Sequence, residues 1–188
     1  MTPDPATPCT AFDGMRKLAA GSLAQVAPAV RARLDAAPNA AVLILADDDA
    51  RRVEVDLRGT VADVAARYAV AAEARGPGRP KLGVVPREVT LLPRHWAWLS
   101  AQPGGASVAL RKLVEAARRD PREQARSARD RAYRFMTALA GDAAGFEAAT
   151  RALYADDEAG FTEHTTGWPT DVRDHALVLA SPVWGQGA

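Results

Sequence analysis

The chain has 188 residues, 48% of them hydrophobic and 25% charged, with a formal net charge of +1. This composition is that of a soluble globular protein of one domain or two small ones, and disorder is not its default reading. No run approaches the roughly 18 apolar residues that cross a bilayer, and Met1 to Pro8 holds neither a basic start nor an apolar segment. The sequence therefore predicts a cytoplasmic protein with no membrane partner, and the lone Cys9 cannot form an internal disulfide.

The small net charge conceals a segregation. Residues 1–74 carry 8 basic and 10 acidic side chains, residues 75–134 carry 14 and 5, and residues 135–188 carry 2 and 8. A basic middle third points to an anionic partner, because clustered positive charge concentrates phosphates. The alternative is internal, with the acidic C-terminal region folding onto the basic helices.

The first 74 residues read as a small sheet-and-helix unit. Cys9 to Phe12 forms a short strand, and Asp13-Gly14 turns it into Met15 to Leu18. Leu23, Val26, Ala27, Val30 and Leu34 recur at helical spacing behind Ser22 as cap, with Pro28 shifting the start or kinking the helix. Ala41 to Ala46 is a continuous aliphatic run typical of a central strand, and Arg52 to Leu57 alternates as its edge partner across Asp47-Asp48-Asp49. Those three aspartates point in different directions from a turn, which favours a solvated hairpin over a metal site. Thr60 then caps a helix bearing Val61, Val64, Ala65 and Tyr68 on one face.

Residues 75–83 form a Gly/Pro/Arg linker that cannot continue a helix. Its core, Gly78-Arg79-Pro80, resembles the AT-hook, in which an extended Gly-Arg-Pro places arginine in a narrow minor groove. Residues 84–119 follow as a strand-helix-helix segment: a strand over Glu88 to Leu92, a helix from Arg94 to Gln102, a turn over Gly104 to Ser107, and a helix from Val108 to Arg119. Leu110, Leu113, Val114 and Ala117 give that second helix one apolar face. Residues 87–119 resemble the ribbon-helix-helix superfamily, whose paired chains lay a two-stranded ribbon in the major groove.

The resemblance implies a homodimer on duplex DNA, with Ser107 capping the second helix where its amides meet a phosphate. With Pro93 aligned to the family's proline, Arg87, Val89 and Leu91 face the groove, and two apolar side chains there can meet little beyond a thymine methyl. Slipping by one residue restores an apolar core and turns Glu88 and Thr90 outward instead. Phosphate contact is thus the reading, through Arg79, Lys81, Arg87, Arg94, Ser107 and Arg111. Trp96 and Trp98, two apart on a helix, cannot share one face, so one is either covered by the other domain or is a candidate interface anchor for a second chain or a protein partner.

Residues 120–188 read as a helical C-terminal region. Asp120-Pro121-Arg122-Glu123 starts a helix to about Ala140, with Arg122, Arg126 and Arg129 on one face and Ala132, Phe135, Met136 and Leu139 on another. That arginine face is either a phosphate track or an ordinary solvated surface. A short helix spans Gly145 to Tyr154, and Thr170 caps one from Asp171 to Leu179, where Asp171 and His175 at i, i+4 could orient an imidazole. His164 stands alone, and no nucleophile, metal-ligand spacing or phosphate loop completes a site.

The sequence therefore predicts an α+β protein, with a small antiparallel sheet-and-helix unit followed by the strand-helix-helix segment and C-terminal helices. Cys9 to Gly14, Val55 to Thr60, Gly78 to Leu99 and Gly104 to Ser107 also make nearly the whole chain resemble a bacterial family known as domain of unknown function 2239. That resemblance implies a bacterial protein and carries no activity or cofactor. Three functions follow in order: a DNA-associated regulatory protein, an adaptor that binds a protein partner, and an enzyme with a non-local site.

Overall fold

The computed structural model describes residues 3–70 and 85–185. It contains the α+β fold that the pattern predicts, organised as two compact units: residues 1–71 together with 124–188, and residues 72–123. The sequence reading divides the chain near 74 and 120, whereas the first 71 residues and the C-terminal helices belong to one unit. The reason lies in the sheet.

Strand β1 (Pro8–Asp13) pairs antiparallel with β2 (Arg16–Ser22) and with β3 (Val42–Ala46), so β1 is central in the order β2-β1-β3. Side chains alternate across a strand, and β1 is buried on both faces. Cys9 and Ala11 join Leu23, Val26, Ala27 and Val30 of α1 (Leu23–Ala36) in one apolar cluster. Phe12, on the opposite face, joins a second cluster built from the C-terminal helices. A sheet with apolar residues on both faces needs a layer on each side, and the chain supplies one layer from α1 and the other from its last third.

Two local expectations change. The aliphatic run of β3 is an edge strand, because the Arg52 to Leu57 segment does not complete its hairpin. Among the described residues the pairing is a single Arg52–Leu45 bridge, flanked by Ala46 N–H donating to Arg51 O and Val53 N–H donating to Ile44 O, each at 2.9 Å. Beyond that point side chains take the backbone groups that a ladder would use. The Asp56 N–H donates to the Tyr68 hydroxyl at 2.7 Å, and Arg67 Nη1 donates to the carbonyls of Asp56 and Arg58. Helix α2 (Val61–Arg67) begins where Thr60 predicts, with Asp63 N–H donating to Thr60 Oγ1 and Thr60 N–H donating to Asp63 Oδ2. Helix α1 is continuous over Pro28, whose ring withholds the one N–H that would donate to Ala24 O.

In the second unit, α3 (Pro93–Ser100) and α4 (Gly105–Arg119) form a helix pair. The strand expected over Glu88 to Leu92 is not formed in the single chain; those residues have no ladder, and most are exposed. Nor is Ser107 a cap. Gly104, at φ 87° and ψ 3°, is the N-cap, and Ser107 lies inside the first turn of α4. Glycine at the left-handed position starts α4 three residues earlier than the serine signal suggests.

The rest of the first unit is helical: α5 (Pro121–Ala140), α6 (Phe146–Tyr154), α7 (Glu158–His164) and α8 (Thr170–Trp184). The apolar face of α5 is buried through Ala125, Ala128, Ala132, Phe135, Met136 and Ala140. Small alanines permit close approach, and Phe135, Phe161 and Trp168 fill the remaining volume among α6, α7 and α8. Trp168 Nε1 donates to Ala144 O at 2.9 Å, which satisfies its buried N–H. Pro169 takes the N-cap position of α8 where Thr170 was expected, and α8 runs on to Trp184 rather than ending at Leu179.

Candidate functional site

The residues that carry the nucleic-acid reading fall into three groups. Arg79 and Lys81, with the AT-hook-like core, lie outside the described residues. Arg87 precedes α3, Arg94 lies in its first turn and Arg111 lies on α4; all three are exposed, and no carboxylate among the described residues pairs with them. Ser107 is exposed as well, but its position inside the helix removes the capping role assigned to it.

Trp96 and Trp98 are both open to solvent, at 39% and 53% exposure. The apolar stripe of α4 is equally open: Leu113 and Val114 are 50% and 55% exposed, and Ala117 is exposed too. Only Leu99 and Ala109 of this helix pair are buried. The i, i+3, i+4, i+7 pattern that predicts a packing face is therefore present, with Leu110 partly buried and Leu113, Val114 and Ala117 uncovered. Val89 and Leu92, just ahead of α3, add two more exposed apolar side chains.

The arginine face of α5 divides. Arg129 donates through Nε to Leu153 O and forms an ion pair with Asp156, so it staples α5 to the end of α6. Arg134 donates to Asp49 O at 2.9 Å and ties α5 to the β3 turn. Acidic and basic regions thus meet inside the first unit for part of their length. Asp49 itself receives the Arg51 N–H and holds the local turn, whereas Asp47 receives the Thr10 hydroxyl at 2.8 Å and ties the turn to β1.

A second locus was not legible in the sequence. A pocket of about 530 Å³ opens in the first unit, lined by residues from four separate elements and one turn, among them Thr10, Lys17, Asp47, Arg131, Asp171 and His175. His175 contributes from α8. Its ring lies 4.7 Å from that of Phe135 and 5.4 Å from that of Phe12, centroid to centroid. Burial holds its pKa below the ordinary value; the Lys17 ammonium pushes the same way and Asp47 opposes them. The imidazole is therefore neutral at neutral pH.

Asp171 does not orient His175 as the i, i+4 spacing suggests. Its Oδ2 accepts the Lys17 backbone N–H at 2.8 Å, anchoring α8 to β2. His164 ends α7 on the surface. Cys9, buried on the other face of β1, has its pKa raised to about 11 by burial and by Asp47, so it remains a thiol and not a nucleophile.

A family described as an uncharacterized protein conserved in bacteria (DUF2239) matches residues 8–180. No curated protein and no solved structure gives a match.

Proposed function

The chain belongs to that uncharacterised bacterial family, and from its own residues we propose that it is a DNA-associated regulatory protein whose second unit pairs with a second copy of itself and contacts duplex phosphates. The observation that carries this reading is the uncovered apolar stripe of α4, with Leu113 and Val114 at least half exposed. Two helices in which only Leu99 and Ala109 are buried lack a core of their own. A contiguous exposed apolar face of this kind is the mark of an interface. A second copy satisfies it symmetrically, because a two-fold interface matches the same stripe to itself. The unpaired extended segment before Pro93 offers an edge to its twin in the same step.

Charge supports the choice of DNA. Arg87, Arg94 and Arg111 project from the same short unit without carboxylate partners among the described residues, and the linker adds Arg79 and Lys81. Such cations bind phosphate without reading bases, which suits a segment whose outward strand positions are apolar.

The test is fluorescence anisotropy with a labelled duplex at two salt concentrations, for the intact chain and for Arg79→Ala combined with Arg87→Ala. Binding should weaken steeply with salt, and the double variant should show a shallower slope, because each neutralised phosphate releases a counterion. Absence of binding at low salt removes the DNA reading. Self-association without DNA binding leaves the exposed tryptophans as anchors for a protein partner, which is the adaptor alternative.

A further inference from the structure

The pocket of the first unit is lined by Lys17, Arg131, Asp47, Asp171 and Asp174; Asp174 pairs with Arg173 on its own helix, and the other four do not pair with one another. Lys17 and Arg131 both line it, and neither has a carboxylate partner among the described residues. Arg131 commits its Nε to Leu179 O at 3.2 Å, which fixes the guanidinium and leaves its terminal nitrogens uncommitted among the described residues. Asp47 accepts the Thr10 hydroxyl on Oδ1, and Asp171 accepts the backbone N–H of Lys17 on Oδ2. Each of these carboxylates keeps its second oxygen. It is the Lys17 backbone, and not its ammonium, that satisfies Asp171, so opposite charges share one cleft without neutralising one another.

This arrangement selects among ligands. A simple anion would meet Lys17 and Arg131 but also the unneutralised oxygens of Asp47 and Asp171. A simple cation would leave a guanidinium and an ammonium without counter-charges. A molecule with both charges answers all four groups, and charged pairing of this kind is worth most where solvent is partly excluded. The size fits, since about 530 Å³ lies within the range of small-molecule sites. Val178 and Leu179 line the same cleft, and Val178 is 65% exposed, so an apolar surface awaits a short aliphatic body.

The geometry points to a binding site for a small zwitterion of the α-amino-acid type, its carboxylate on Lys17 and Arg131, its ammonium on Asp47 and Asp171, and its side chain against Val178 and Leu179. Neutral His175 borders the cleft without adding charge and can exchange a hydrogen bond with the ligand. The site rests on the first unit alone and is independent of the DNA reading.

Isothermal titration of the full chain with L-leucine and L-valine tests it, with isovalerate and isoamylamine as single-charge comparators. At least one amino acid should bind, and each comparator should bind at least tenfold more weakly. Lys17→Gln, Arg131→Gln and Asp171→Asn should each weaken amino-acid binding at least tenfold. Asp171→Asn retains the oxygen that Lys17 N–H needs, and Lys17→Gln removes no structural bond, so these variants report binding and not folding; thermal melting checks that they fold. The proposal is overturned if neither amino acid binds, if one comparator binds as well as the amino acid, or if Lys17→Gln and Asp171→Asn bind like the native chain.

Discussion

The rings of Phe12 and Phe135 meet with centroids 5.4 Å apart and planes tilted by 54°, which joins the central strand to the longest helix. Both side chains are fully buried, and the pair links the sheet to the C-terminal helices within one compact unit. Truncating Phe135 to alanine should cost about 3–5 kcal/mol, read from urea denaturation. A double-mutant cycle with Phe12→Ala should return a coupling of about 0.5–1.5 kcal/mol beyond area burial. Probes placed on α1 and on α8 should report the same transition for the native chain. Two separate transitions for these helices would show that sheet and bundle unfold independently.

Local signals were legible where neighbours in sequence satisfy each other. Thr60 starts α2, Asp120 accepts the Arg122 N–H at the start of α5, and the Asp13-Gly14 turn closes the hairpin, each within three residues. The apolar face of α5 was also readable from its period, because a long helix averages over many positions. What the sequence hid depends on distant partners. Nothing local to Arg52–Leu57 reveals that Tyr68 and Arg67 will take its backbone groups. Nothing local marks β1 as central, since that status depends on β3 pairing along its second edge. The Lys17, Asp47, Arg131 and Asp171 cluster assembles from positions up to 154 residues apart, as in the Lys17–Asp171 bond, so no motif could carry it. Ser107 misled because serine commonly caps helices, while a left-handed glycine three residues earlier had already started this one.

His175 gives the stability of the first unit a pH dependence with a defined sign. Its folded-state pKa lies below the ordinary value of 6.5, chiefly through burial beside Phe12 and Phe135. Between the folded and unfolded values the unfolded chain binds the proton and the folded chain does not, so stability rises with pH across that window. Stability present above 6.5 is therefore lost as pH falls toward the folded value. Thermal melting at about pH 7.5 and about pH 5.5 should show a fall for the native chain and a smaller one for His175→Gln. Equal falls would mean that carboxylates elsewhere carry the whole effect.

Gly145 is a backbone requirement. It caps α6 at φ +83°, and a Cβ built there would come within 2.4 Å of the His164 carbonyl oxygen. An alanine would face both left-handed strain and contact with the backbone of α7, which a rotamer change cannot relieve. Gly145→Ala should cost about 1–3 kcal/mol, visible as a lowered urea midpoint with an unchanged slope. Gly14, also at positive φ but with open space around its Cβ position, serves as the control and should lose less on the same substitution.

The uncovered stripe of α4 makes the last prediction, and it separates association from folding. Leu113 is 50% exposed and Val114 55% exposed, so replacing them in a monomer removes little buried area and should barely change its stability. In the proposed dimer the same residues sit at the interface core, where an unpaired carboxylate would be desolvated and costs far more than a truncation. Leu113→Asp should therefore shift the sedimentation equilibrium toward monomer by at least tenfold in dissociation constant. Trp98→Ala, 53% exposed at the end of the neighbouring helix, should act in the same direction. If the dimer presents the phosphate-binding arginines together, Leu113→Asp should also weaken duplex binding although it removes no basic residue, because two linked sets of contacts bind more tightly than one. A native chain that sediments as a monomer at high concentration, with Leu113→Asp indistinguishable from it, would end the dimer reading whatever the DNA result.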